Sequence, residues 1–152
     1  MAINFDKFAQ EGNAYLKQLA QELGHPEEIG QTSILLRAVL HTLRDRITVS
    51  ESMHVLSQLP MFLKGIYVEG WEHREKPLKI NSLEEFKDAV KQEQAKHGER
   101  DFNWEQSTDK LITMILDSLN KRYLTEGQLK HITGQMPSEI RELFPLETGN
   151  NR

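Results

Sequence analysis

The spacing of apolar side chains along the chain predicts an all-α protein. In most segments these side chains recur at steps of three and four residues, which is the period of one helix face. The pattern predicts about eight helices. They cover residues 5–23, 26 or 31 to 46, 49–57, 60–68, 82–97, 105–122, 125–133 and 137–144. The second helix is apolar over most of its girth, so we expect it to be central.

Helix-start and helix-stop signals support these boundaries. Three segments begin with a Ser or Thr that is followed three residues later by Glu or Gln, which is the capping-box pattern. These boxes are Thr48 with Glu51, Ser82 with Glu85, and Thr125 with Gln128. The Glu51 carboxylate is expected to reach back to the N–H of Thr48. Gly24 stands where a C′ glycine ends the first helix, and Gly12 allows a break inside it.

Pro60 predicts that one helix ends before it and that another begins at it. Pro60 disfavours helix at the preceding residue and suits the first position of a new helix. In that helix we expect Met61, Leu63, Ile66 and Tyr67 to be buried or half-buried.

A repeated stretch organises the chain. Residues 48–67 and 125–144 share a Thr, a Glu or Gln three residues later, a His three residues after that, and then Gln-apolar-Pro. The repeat predicts two tandem, pseudo-symmetric four-helix units that share one core. The halves span about 1–70 and 82–146, a linker spans 69–81, and together they form a single helical domain, 1–146. We expect residues 147–152 to be a frayed tail.

Composition excludes several classes of function. The 152 residues include no cysteine, so disulfides, thiolate metal sites and cysteine nucleophiles are excluded. The net charge of −4, with basic and acidic residues interspersed, argues against nucleic-acid binding. No apolar run is long enough to span a bilayer, and the first residues lack a signal-peptide pattern. We therefore expect a cytoplasmic protein without membrane or nucleic-acid partners.

Three segments carry a resemblance to a known family. They read VLHTLRDRIT at 39–48, QLPMFLKGIYVEGW at 58–71 and KPLKINSLEEF at 76–86. In this order they resemble the bacterial family called domain of unknown function 2267, and the resemblance covers nearly the whole chain. It implies a small, cytoplasmic, all-helical bacterial protein. The family has no settled activity, so the resemblance carries over no catalytic residue.

Two histidines raise the question of a metal or ligand site. Glu51-x-x-His54 matches one unit of a dimetal carboxylate site in a helical bundle. The second copy has Gln128 in place of the carboxylate, and Glu51 already has a capping assignment, so we expect no metal. Without a metal, Glu51 is a helix cap and His54 is a partly buried histidine at a helix junction. His41 lies on the central helix and approaches His54 if the second and third helices pack antiparallel. Together they are the candidate for a ligand or pH-sensing site.

Enzyme motifs are lacking. The sequence has no Gly-x-Ser-x-Gly elbow and no glycine-rich phosphate loop. We therefore expect no catalytic residues and no cofactor, and an uncatalogued enzyme is the third hypothesis for function.

The linker region carries the leading functional hypothesis. Aromatic and basic residues combine there as they do at interface hot spots, and these candidates for partner binding are Tyr67, Trp71, His73, Arg74 and Lys76. The competing interpretation is that Tyr67 and Trp71 fill the junction between the two halves. We predict a non-enzymatic interaction or regulatory module that binds a protein partner through a groove here. A homodimer is an alternative, and a small-ligand or metal-binding protein with a site near His41 and His54 is the second hypothesis.

Overall fold

Eight α-helices and no strand occur in residues 2–145, the part of the chain that the computed structural model describes. The all-α prediction is confirmed. In chain order the helices are α1 (Phe5–Glu22), α2 (Ile29–Arg46), α3 (Val49–Gln58), α4 (Met61–Val68), α5 (Leu83–Lys96), α6 (Thr108–Arg122), α7 (Glu126–Gly134) and α8 (Ser138–Arg141). The tail predicted at 147–152 lies outside the described residues.

The predicted caps start three of these helices. The hydroxyls of Thr48, Ser82 and Thr125 accept hydrogen bonds from the backbone N–H three residues later, at 3.1, 3.1 and 3.2 Å. Pro60 differs from the prediction, because it is the N-cap of α4 and not its first helical residue. Its ψ of 160° is extended, and its carbonyl accepts the first hydrogen bonds of the helix. Helix α6 also begins later than predicted, since Ser107 caps it.

Helix α1 runs unbroken through Gly12. The glycine lets α4 approach closely: a Cβ at this position would lie 3.4 Å from the ring of Phe62. Packing of α1 against α4 therefore offsets the low helix propensity of glycine. The helix ends where predicted, with Gly24 at a φ of +84°, a conformation that favours glycine.

Helix α2 is central, as its wide apolar face predicts. It packs against α1, α4, α5 and α6. Leu35, Val39, Leu40 and Leu43 are each almost completely buried along it. Each such leucine or valine contributes about 1.5–3 kcal/mol by leaving water. The buried apolar side chains of the described residues form one cluster around this helix.

Two arginines of α2 fix the segment that follows α4. The buried Arg44 guanidinium donates to the carbonyls of Tyr67 and Glu69, each at 2.8 Å. Arg46 donates from Nε to the carbonyl of Ile80, also at 2.8 Å. The end of α4 is therefore capped by a side chain from another helix, a role that suits cationic groups near C-terminal carbonyls.

The starts of α3 and α7 are each completed by the other repeat copy. The N–H of Thr48 donates to Oε1 of Gln135 at 3.3 Å, and the N–H of Thr125 donates to Oε1 of Gln58 at 3.0 Å. The predicted return of Glu51 to Thr48 is therefore wrong. An amide side chain from the opposite copy satisfies that N–H instead, which leaves the carboxylate for other donors.

The same glutamines extend this reciprocal contact between α3 and α7. Gln58 donates from Nε2 to Gln128 at 3.1 Å, and Gln135 donates from Nε2 to Glu51 at 3.1 Å. Gln128 also donates to the second carboxylate oxygen of Glu51. The two copies of the repeat therefore exchange hydrogen bonds. The arrangement of the whole chain as two four-helix units stays a prediction.

Candidate functional site

Tyr67 belongs to the core. Its side chain is fully buried, and its hydroxyl shares a 2.7 Å hydrogen bond with Ser52. Burial raises the pKa of this phenol above its ordinary value, although the bond to Ser52 and the nearby Arg44 charge act in the opposite direction. The prediction that Tyr67 is a surface anchor is wrong, because its ring is covered where α2, α3 and α4 meet.

Trp71 is half-buried beside Tyr67. The two rings meet edge to face with their centroids 5.9 Å apart, and the Arg44 guanidinium lies 5.9 Å from the Trp71 ring centroid. Arg74 is half-buried and pairs with Asp45 at 3.4 Å. The remaining candidates of this segment, His73 and Lys76, are exposed.

The expected groove beside these residues is small. A cavity of about 20 Å³ lies between the end of α2 and the segment 71–77, and its lining includes Trp71, Arg74, Lys76 and Val49. This volume holds about one water molecule. This cavity is therefore too small to accept a segment of a partner.

His41 lies with Glu93 and His97, whereas the sequence hypothesis placed it with His54. The ring of His41 is 5.7 Å from that of His97, and its Nδ1 is 3.3 Å from Oε1 of Glu93. Burial alone would raise the pKa of Glu93, but Lys96 and His41 outweigh this and lower it. Burial lowers the pKa of His97, and the neighbouring Arg37 and His41 side chains act in the same direction.

Glu51 and His54 do not act together. The Glu51 carboxylate is buried and accepts from Gln128 and Gln135, while His54 is exposed and not partly buried as expected. The side chains diverge because α3 turns one toward α7 and the other toward solvent. The pairing of His41 with His54 is therefore not found, and a second helix, α5, supplies the neighbours of His41.

An apolar cleft lies between α3 and α4. Its volume is about 530 Å³, and it is open to solvent. We define the α3–α4 cleft by its lining residues, Met53, Leu56, Ser57, Met61, Lys64, Gly65 and Val68. The exposed fractions of Met53, Met61 and Val68 are 55%, 56% and 44%. The expectation that Met61 is buried or half-buried is thus wrong, because Met61 lies on the wall of a cleft that is open to solvent.

The spacing of these residues explains the cleft. Met53 and Leu56 lie three residues apart on α3, and Met61 and Val68 lie seven apart on α4, so each helix presents one apolar stripe. Val49 is exposed one turn before Met53 and extends the α3 stripe toward the segment 71–77. Clustered exposed apolar groups of this kind mark interaction surfaces.

The second repeat copy provides an internal comparison for this surface. A shift of 77 positions aligns Thr48 with Thr125. The following pairs are buried in both copies: Glu51/Gln128, Ser52/Leu129, Val55/Ile132, Leu59/Met136, Leu63/Ile140 and Tyr67/Phe144. Four positions on the outer face are apolar in the first copy and polar in the second: Val49/Glu126, Met53/Lys130, Leu56/Thr133 and Met61/Ser138. The repeated fold therefore does not require apolar residues on this face.

A smaller apolar cavity lies between α1, α2 and α4. It measures about 250 Å³, and its lining includes Phe8, Leu16, Leu36 and Phe62. Clefts that hold drug-sized ligands run from about 300 to 1,000 Å³. The cavity is thus small for such a ligand, and its walls bring no charged group other than Arg37.

Comparison with known proteins identifies the family of this chain. Within residues 2–145, no helix has both the length and the apolar character needed to cross a bilayer. No curated protein matches the chain. The model of the DUF2267 family, described as an uncharacterised conserved protein, matches residues 12–143. This match covers most of the 152 residues, and the chain therefore belongs to the DUF2267 family.

Proposed function

We propose that this protein is a non-enzymatic interaction module of the bacterial cytoplasm, and that it binds a helix of a partner protein in the α3–α4 cleft. The class of function is the one that the sequence favours, but the binding surface is the α3–α4 cleft and not the segment 67–76. Tyr67 is buried and the cavity beside Trp71 is small, so the segment 67–76 contributes only a rim. In that rim, His73 and Lys76 are exposed and Arg74 is half-exposed.

The observation that carries the proposal is the difference between the two repeat copies. Met53 and Met61 are more than half exposed, whereas Lys130 and Ser138 occupy the matching positions in the second copy. Exposed apolar side chains favour aggregation and gain nothing for a fold that tolerates polar residues there. A partner that covers them accounts for their presence in one copy alone.

The shape and chemistry of the cleft define the expected partner. An open apolar cleft with one stripe from α3 and one from α4 suits an amphipathic helix, which places its own apolar residues between them. Methionine side chains are flexible and polarizable, so they adapt to such a helix. Lys64 lines the cleft and offers a charged contact to a carboxylate on the partner helix.

Site-specific photo-crosslinking tests the proposal in the native cell. A photoreactive amino acid in place of Met53 should capture one partner, and the same amino acid in place of Lys130 should not. The captured partner is then purified, and its affinity is measured by calorimetry. The double variant Met53→Lys/Met61→Ser, which installs the second copy's residues, should bind at least about tenfold more weakly, the loss expected for a central anchor.

The control is Lys130→Ala, which alters the matching face of α7 and should leave the affinity unchanged. Thermal unfolding of each variant verifies that the fold is retained. Equal capture from positions 53 and 130, no capture from position 53, or unchanged affinity in the double variant would each refute the proposal. A dimer that sediments as such and dissociates in Met53→Lys would show that the occupant is a second copy, which also refutes a different protein as partner.

A further inference from the structure

A cluster of two histidines and one glutamate lies between α2 and α5, apart from the α3–α4 cleft. His41 is in the fourth turn of α2 and its side chain is only 4% exposed, whereas Glu93 and His97 are 16% and 24% exposed. Glu93 and His97 are four residues apart at the end of α5, so they lie on one face. One nitrogen or oxygen from each of the three lies within 4.8 Å of the others.

The hydrogen bonds of His41 leave one ring nitrogen facing a carboxylate. Its Nε2 is 2.7 Å from the carbonyl oxygen of Ile66. A carbonyl only accepts, so Nε2 carries the hydrogen. In the neutral ring Nδ1 is then a lone pair, and it faces Oε1 of Glu93 at 3.3 Å. Two acceptors that face each other in a buried place require a cation between them, either a second proton on the ring or a metal ion.

The spacing of the three ligand atoms suits a metal ion. Zinc binds imidazole nitrogen and carboxylate oxygen at about 2.0–2.2 Å, so neighbouring ligands of a tetrahedron lie about 3.3–3.6 Å apart. Two of the three separations are 3.3 Å from His41 Nδ1 to Glu93 Oε1 and 3.7 Å from His97 Nε2 to the same oxygen, and the two histidines have ligand nitrogens within 4.8 Å of each other. The bond from His41 Nε2–H to Ile66 also supplies the backbone carbonyl that commonly orients a metal-binding histidine.

We propose that His41, Glu93 and His97 bind a divalent transition-metal ion of the zinc type, with a fourth position open to solvent. Two imidazoles and one carboxylate favour zinc, cobalt, nickel or copper over magnesium and calcium, which prefer oxygen ligands alone. The partly exposed Glu93 and His97 provide the entry path. The site joins α2 to the end of α5, so a bound ion stabilises the contact between the two repeat halves.

Two positively charged side chains lie near the site and oppose the binding of a metal ion. Arg37 on α2 pairs with Glu69, and Lys96 on α5 donates to the second oxygen of Glu93 at 3.0 Å. Lys96 is mostly exposed, so it moves away without cost to the core. Its loss should strengthen metal binding, because a positive charge next to a metal ligand opposes the ion.

Titration with zinc sulfate and cobalt chloride tests the site on the full chain, prepared without a histidine tag and dialysed against chelator. Calorimetry should give one ion per chain, cobalt should give the visible absorption of a four-coordinate ion, and zinc should raise the unfolding temperature. His97→Ala and Glu93→Gln alter partly exposed groups, so these variants fold without the ion. Each should weaken binding at least about 100-fold, since even outer-shell partners are worth 10–100-fold.

His54→Ala is the matched control, because His54 is an exposed histidine outside the cluster. It should bind zinc like the parent chain, and Lys96→Ala should bind more tightly. The inference is overturned if the parent chain shows no saturable binding of one ion. It is also overturned if binding persists unchanged in His97→Ala and Glu93→Gln, which would indicate adventitious binding at surface groups. Neither result bears on the α3–α4 cleft.

Discussion

The side-chain amide of Gln128 donates a hydrogen bond to the carboxylate of Glu51, and both side chains are buried where α3 meets α7. The other carboxylate oxygen accepts from Gln135 at 3.1 Å. A buried carboxylate is costly unless donors surround it, and here both donors come from the second repeat copy. Because the first copy has Glu51 where the second has Gln128, a hydrogen-bond acceptor faces a donor where the two copies meet.

We expect substitutions of Glu51 and Gln128 to have coupled effects on the free energy of unfolding. Glu51→Ala leaves the buried Gln128 amide and the half-buried Gln135 amide without their acceptor, which should lower the free energy of unfolding by about 2–3 kcal/mol. Gln128→Ala should be less severe, because Gln135 still serves the carboxylate. Urea unfolding of both single variants and of the double variant gives the coupling energy, which we expect to be about 1–2 kcal/mol.

Glu85 provides the control for this pair. It occupies the same place in another capping box but is exposed, and it accepts from the N–H of Asn81 at 2.7 Å. Glu85→Ala should cost no more than about 0.5–1 kcal/mol. Strictly additive effects of Glu51→Ala and Gln128→Ala would contradict a direct interaction.

The second prediction concerns Trp71. Its ring packs on Tyr67 and lies beside the Arg44 guanidinium, so Trp71→Ala should lower the free energy of unfolding by about 2–3 kcal/mol, less than for a fully buried aromatic ring. His73→Ala, two residues along the same segment and exposed, should change it by less than about 0.5 kcal/mol. Chemical denaturation measures both. Equal, small effects would mean that Trp71 is a surface residue after all.

The third prediction is a loss of stability in alkali that depends on Tyr15. Burial raises the pKa of this phenol from its ordinary 10.0 to about 12, against the opposing hydrogen bond from Ser118. The unfolded chain therefore releases this proton at lower pH than the folded chain. The stabilisation is complete below pH 10 and is lost as the pH rises from about 10 to 12. The loss should be on the order of 2 kcal/mol.

Tyr15→Phe isolates this contribution from the lysines, which titrate in the same range. At pH 8 the variant should be less stable by about 1 kcal/mol, because the hydrogen bond between Tyr15 and Ser118 is lost while Arg122 still donates to Ser118. By pH 11.5 the difference should shrink or reverse, since phenylalanine has no proton to lose. Urea unfolding at both pH values gives the comparison. A difference that stays constant with pH would show that Tyr15 does not keep its proton in the folded state.

Local signals account for what the sequence predicted about the fold. The caps at Thr48, Ser82 and Thr125 and the stop at Gly24 depend on neighbours in the chain, so they are visible without a structure. The break allowed at Gly12 does not occur, because the helix packs there against Phe62, which is distant in sequence. The return of Glu51 to Thr48 failed for the same reason, since Gln135 supplies the acceptor.

The candidate site was harder to predict because exposure is a property of the packed molecule. Apolar residues at helical spacing, such as Met61, normally indicate core, but here Met61 lines the open cleft between α3 and α4 and is exposed. A signal was nevertheless present, because Met53 and Met61 align with Lys130 and Ser138 in the repeat. The meeting of His41 with His97 had no such signal, since it requires the packing of α2 on α5.

The crossed bonds of Gln58 and Gln135 also bear on how the molecule opens. Each glutamine lies at the end of the short helix of its own copy. Its side chain accepts a hydrogen bond from the backbone N–H of the N-cap residue, Thr48 or Thr125, of the other copy's helix. Fraying of either helix therefore removes an acceptor from its counterpart, so α3 and α7 should open as one cooperative unit although 67 residues separate Gln58 from Thr125. Hydrogen exchange would then report a single opening free energy for both helices.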